Sequence, residues 1–172
     1  SVGRSFAPNA QGWLATSRAT LWTGQTATFL RRVPGPGLDA SAIHSTEAMR
    51  IDKQGRVLCK INLSATEQSY YLWISETEPA IDLSATVEGL LDAIDLNDNG
   101  LLLFTHRGGL ALQDVDGGTR TRTVLPPYPT DSAQFHPPVP VGVDNAGRVV
   151  ISKWSKWATD IPEVRVYYWR PS

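Results

Sequence analysis

Four short polar turns, each ending in glycine, constrain this chain more than any other feature. They are Asn9-Ala10-Gln11-Gly12, Asp52-Lys53-Gln54-Gly55, Asn97-Asp98-Asn99-Gly100 and Asp144-Asn145-Ala146-Gly147, and an apolar run follows each one. Glycine supplies the positive φ that a close hairpin needs, and Asn or Asp bonds back to the local backbone. The four glycines lie 43, 45 and 47 residues apart. A near-constant interval of that size marks a recurring supersecondary unit.

The segments around these turns read as strands. Ala48–Ile51 leads into the second turn, and Arg56–Ile61 leaves it. Tyr70–Ile74 is rich in aromatic and β-branched residues, and Ala80–Leu83 closes that unit. The third unit predicts strands at Ala93–Leu96, Leu101–Thr105, Leu110–Gln113 and Arg122–Leu125. The fourth predicts Pro140–Val143, Arg148–Lys153 and Val164–Trp169, with no outer strand. The first holds Arg4–Ala7, Trp13–Thr16, Ala19–Trp22 and Thr26–Leu30. Val33-Pro34-Gly35-Pro36-Gly37 is loop, because its prolines cannot join a ladder. Only Ala85–Ile94 has helical spacing, through Val87, Leu90, Leu91 and Ile94, enough for one turn of helix.

Short strands at regular intervals predict an all-β fold. Units of roughly 1–33, 48–84, 93–126 and 140–170 predict one repeat domain over residues 1–172. Four blade-like antiparallel units of this size make a small β-propeller or a propeller-like arc. One small sheet cannot bury both of its faces alone, but stacking on its neighbours can. Val2–Phe6 is a candidate to pair with the fourth unit and remove its open edge.

The frame Trp73 … Ile81-Asp82-Leu83 … Ala93-Ile94-Asp95-Leu96-Asn97-Asp98-Asn99-Gly100 resembles the bacterial extracellular repeat named for its His-Ala-Phe tripeptide. Units two and three match best. Units one and four match at the glycine turn and at Ala19-Thr20-Leu21-Trp22 and Tyr167-Tyr168-Trp169. The tripeptide itself is absent, and unit three has no Trp. The resemblance implies a propeller-like architecture and carries over no catalytic residues.

The net charge is −1, from 16 basic and 17 acidic residues, so no global field draws nucleic acid or an anionic membrane. No apolar run reaches the ~20 residues of a membrane helix. A hydrophobic content of 41% describes a soluble globular chain, cytoplasmic, or periplasmic or secreted after loss of a signal. Cys59 is the single cysteine and sits within an apolar strand, as a packed side chain and not a reactive thiol.

Chemistry is sparse. Asp95-Leu96-Asn97-Asp98-Asn99-Gly100 matches the first half of a calcium loop, but position twelve is His106 instead of Glu. The other units keep the turn and lose the acids, so a plain hairpin is the better reading and no metal or cofactor is expected. His44, His106 and His136 have no spaced partner, and no G-x-S-x-G or phosphate loop occurs. The most unusual cluster is Lys153-Trp154-Ser155-Lys156-Trp157. Trp beside Lys suits a contact patch, which Tyr128, Phe135 and His136 can extend and to which Tyr167, Tyr168 and Trp169 can add.

These features favour a non-catalytic domain that binds a protein. One concrete form is an immunity-type inhibitor of a bacterial toxin or enzyme. The alternatives are a carbohydrate-binding module and a hydrolase or lyase with its site at the ring mouth. Trp residues fall 10, 18 and 22 positions after the glycine turns of units one, two and four, which counts against repeated sugar pockets.

Overall fold

A computed structural model describes residues 2–8, 14–23, 26–30, 45–63, 66–75, 77–107, 109–116, 122–125, 139–154 and 164–169. These residues form four antiparallel sheets whose strands neighbour one another in chain order. The fold is all-β. The first sheet contains β1 (Val2–Pro8), β2 (Leu14–Thr23) and β3 (Thr26–Phe29). The second contains β4 (Ser45–Ile51), β5 (Val57–Asn62), β6 (Gln68–Trp73) and β7 (Ile81–Asp82). The third contains β8 (Asp92–Leu96), β9 (Leu101–His106), β10 (Gly109–Asp114) and β11 (Arg122–Val124). The fourth contains β12 (Val139–Val143), β13 (Val149–Trp154) and β14 (Val164–Trp169).

Three expectations change. The two strands foreseen in Trp13–Trp22 merge into the ten-residue β2. Val2–Phe6, foreseen as a partner of the fourth unit, pairs with β2, from Val2 opposite Leu21 to Phe6 opposite Ser17. A hairpin partner a few residues away closes a shorter loop than a partner at the far end of the chain. The helical turn, α1, covers Leu83–Thr86 and so starts two residues before the foreseen segment and overlaps only its first two residues. The Asp82 side chain accepts the Ala85 N–H at 3.1 Å and caps it. That cap ends β7 at Asp82, one residue short of the foreseen strand.

The chain divides into two compact units, Ser1–Glu88 and Gly89–Ser172. In the first, β4 lies beside β1 and β2. Its core joins Leu30, Val57, Cys59, Ile61, Tyr71 and Trp73, and the Tyr71 hydroxyl donates to the Leu30 carbonyl at 3.0 Å. In the second unit, β12 lies beside β8 and β9. Its core joins Leu103, Leu110 and Leu112 of the third sheet to Val143, Val149 and Ile151 of the fourth.

Neighbouring residues of a strand point to opposite faces. In β5 the consecutive residues Val57, Leu58 and Cys59 are all fully buried, and so are Leu102, Leu103 and Phe104 in β9. These central strands of the second and third sheets therefore keep both faces out of water. In β13, Val149 and Ile151 are buried, but Val150 and Ser152 are only partly so. The fourth sheet has one dry face and one wet one.

Candidate functional site

The turns form the first half of the site. Gly55, Gly100 and Gly147 have φ of 83°, 77° and 75°. Each turn opens with an Asx residue whose Oδ1 accepts two backbone N–H groups. Asp52 takes those of Gln54 and Arg56, both at 2.9 Å. Asn97 takes those of Asn99 and Leu101, both at 2.9 Å. Asp144 takes those of Ala146 at 2.9 Å and Arg148 at 2.8 Å. The glycine N–H returns to the Asx carbonyl at 3.1, 3.1 and 2.9 Å. Each preceding strand also carries a one-residue bulge six positions before the glycine, at Met49, Ile94 and Val141. The bulge changes which face the following residues address. Gly12 lies outside the described residues.

Around this shared frame the side chains differ. Arg56 Nε donates to Asp52 Oδ2 at 2.6 Å, and Arg148 Nε donates to Asp144 Oδ2 at 2.5 Å. The backbone N–H of Arg148 is the first cause that holds the Asp144 carboxyl below its ordinary range; the Arg148 guanidinium and the Ala146 N–H add to it, against a smaller desolvation effect. The third turn is neutral at its first position and faces the fourth. Asn97 Nδ2 donates to the Asp144 carbonyl at 2.8 Å, and Asn99 Nδ2 donates to the Asn145 carbonyl at 2.7 Å. The Asp98 N–H donates to Asn145 Oδ1 at 3.0 Å, and Asn145 Nδ2 returns to Asp98 Oδ2 at 2.8 Å. Buried Asp95 accepts the Val143 N–H at 2.9 Å. The run that resembles half a calcium loop thus directs oxygens of Asp95, Asn97 and Asp98 to N–H groups of the chain itself. It acts as a clasp between two sheets. Among the described residues no group of three or more His, Cys, Asp or Glu side chains comes together.

The outward face of the fourth sheet forms the second half. Val139 of β12, Ser152 of β13 and Val166 of β14 share one cross-strand row. Gly142, Val150 and Tyr168 share the next, and the bulge places Val141 beside it. Val139, Val141 and Val166 are 51%, 52% and 51% exposed, and Tyr168 is 65% exposed. These side chains are uncharged and adjacent, which singles scattered over an ordinary surface are not. On the opposite side, Trp169 packs against the core.

Of the expected contact residues, Lys153 and Trp154 lie at the end of β13, opposite Arg165 and Val164. Tyr128, Phe135, His136, Lys156 and Trp157 lie outside the described residues, as does His44. His106 ends β9, with its ring centroid 6.3 Å from that of Phe104. Sequence reading flagged Tyr168 but missed Val139, Val141 and Val166. The available signal was alternation: Val139, Val141 and Val143 recur at period two, as do Val164, Val166 and Tyr168. Alternation does not say which valines face water.

Cys59 is buried, and desolvation pushes its thiol up to about 12 against a smaller lowering by Tyr71. Its Sγ donates to the Val57 carbonyl at 3.6 Å. It therefore holds no thiolate at neutral pH and packs as a small apolar group. No helix among the described residues is long and apolar enough to cross a membrane. The chain matches no protein-family model, no curated protein and no solved structure.

Proposed function

We propose that the chain is a non-catalytic binding protein, built from four blade-like units as a small propeller or propeller-like arc, and that its ligand is another protein. The uncharged face formed by Val139, Val141, Val166 and Tyr168 carries this reading. An exposed, largely apolar β surface is the usual chemistry of a protein contact, with a tyrosine as anchor. Lys153 and Trp154, at the end of β13, are neighbours of that surface in sequence. The recurrent turn and bulge support the blade reading and the resemblance to the His-Ala-Phe repeat, since units two, three and four repeat the same hydrogen bonds about Gly55, Gly100 and Gly147. A rigid frame with one open face suits occlusion of a partner's surface, and the immunity-type inhibitor of a bacterial toxin or enzyme is the concrete form of this proposal.

The test places a photo-crosslinking residue at Tyr168 and recovers adducts from the source cells, alongside a Val141→Asp/Tyr168→Asp variant. Both positions are exposed, so the variant should keep its fold. The expected result is one stoichiometric protein adduct, and loss of that protein from pull-downs with the variant. Equal recovery by the variant, or a glycan in place of a protein, overturns the proposal.

A further inference from the structure

We propose that Asn99 is a site of spontaneous deamidation that the clasp between the third and fourth sheets holds silent, and that its conversion opens the clasp irreversibly. Asn99-Gly100 is the single Asn-Gly pair in the sequence. Glycine on the C-terminal side leaves the backbone nitrogen unhindered, so this is the chain's most labile amide by local chemistry. In the reaction the Gly100 nitrogen loses its proton and attacks Asn99 Cγ. An N–C bond forms, the Cγ–Nδ2 bond breaks and ammonia leaves. Water then opens the succinimide at either carbonyl, giving aspartate or isoaspartate. Water is the only co-reactant.

Both reacting groups are engaged in the fold. The Gly100 N–H, which must be surrendered, donates to the Asn97 carbonyl at 3.1 Å. The Asn99 amide, which must swing toward that nitrogen, donates to the Asn145 carbonyl at 2.7 Å. The backbone on either side is pinned as Asn97 Oδ1 accepts the N–H groups of Asn99 and Leu101. Asn99 itself is exposed, so water reaches its amide, while Gly100, whose N–H base must take, is buried. Reaction therefore requires the turn to leave its partner, and its rate follows local opening instead of exposure.

The product cannot rebuild the contact. A carboxylate in place of the amide sets oxygen against the Asn145 carbonyl oxygen, where a donor stood. Isoaspartate also inserts a methylene into a backbone whose next residue is held at φ 77°. The lesion thus falls on the hydrogen bonds that tie β8 and β9 to β12. No comparable risk attaches to the fourth turn, where Ala146 follows Asn145.

Peptide mapping with resolved isoaspartate measures the rate at Asn99 in the folded protein, in the urea-unfolded chain and in an Asn145→Ala variant. The variant removes the bonds between Asn145 and Asp98 but leaves Asn99 and Gly100 intact. The expected order is unfolded chain fastest, by ~10-fold or more over the folded protein, with the variant between them. A urea series below the unfolding transition provides a second readout, in which the rate should rise with local opening. Equal rates in folded and unfolded chains, no change on Asn145→Ala, or a flat urea series overturns the proposal. None of these outcomes bears on partner binding.

Discussion

The Asp52 turn and the Asp144 turn share one backbone and nearly one set of bonds, yet they stand in different solvents. Asp52 and Arg56 expose 0% and 11% of their side chains, whereas Asp144 and Arg148 expose 33% and 45%. The Asn97 turn reaches the same fold with no charge at its first position and no arginine at its last. The hairpin therefore depends on an Asx oxygen and a glycine. The ion pair is an addition whose value is set by surroundings. A charge pair in water contributes little, while breaking a dry one strands a charge.

The largest effect should come from Asp52→Ala. It removes the acceptor of two backbone N–H groups and the carboxylate opposite Arg56, and we expect a loss of about 3–5 kcal/mol in denaturant unfolding. Asp144→Ala should lose clearly less; equal losses would sink the comparison. Next is Gly142→Ala. A Cβ there would stand 2.6 Å from Asp95 Oδ2, inside the bond to Val143. The expected cost is about 1–3 kcal/mol, and it should shrink in an Asp95→Ala background, as a double-mutant cycle can read.

Gly55→Ala should cost about 1–2 kcal/mol for backbone alone, since nothing lies within 4 Å of the added carbon. Gly55→Asn should recover much of that loss, because Asn accepts positive φ. If alanine and asparagine behave alike, the turn does not depend on that conformation.

The smallest effect is a pH dependence. The folded Asp144 carboxyl titrates below its unfolded value, so between the two the unfolded state binds more protons. Its contribution is present above the ordinary carboxylate pKa and fades as pH falls through the lowered one. Asp144→Asn should therefore flatten the acid limb of stability, and an unchanged limb would assign that limb to other carboxyls.

Local chemistry explains what could be read from sequence. The glycine turns at Gly55, Gly100 and Gly147 and the fourth sheet's three strands follow from residues close in sequence, and they hold. The merged β2 was hidden because Ser17-Arg18 looks like a break, yet a polar pair can lie within a continuous ladder. The capped turn at Leu83 was hidden because Ala80-Ile81-Asp82-Leu83 alternates like a strand until Asp82 accepts Ala85 N–H. The clasp at Asn97 and Asn99 joins residues 46 and 47 positions apart, a spacing that composition does not reveal. The exposed valines are legible only once the packing of the other face is known.

The interval from bulge to glycine is six residues in three sheets, while the glycines themselves are 45 and 47 residues apart. All variation in length must then be absorbed elsewhere, in the hairpins remote from the glycine turns and in the links between sheets, from Asp82 to Asp92 and from Val124 to Val139. Asn62 reaches Gln68, His106 reaches Gly109 and Trp154 reaches Val164, three quite different spans between the same pair of strands. The second, third and fourth sheets thus separate one end of fixed metre from an opposite end of free length. A foreign peptide grafted after Trp154 should be carried without altering the frame, while a single residue added between Val141 and Gly147 should not.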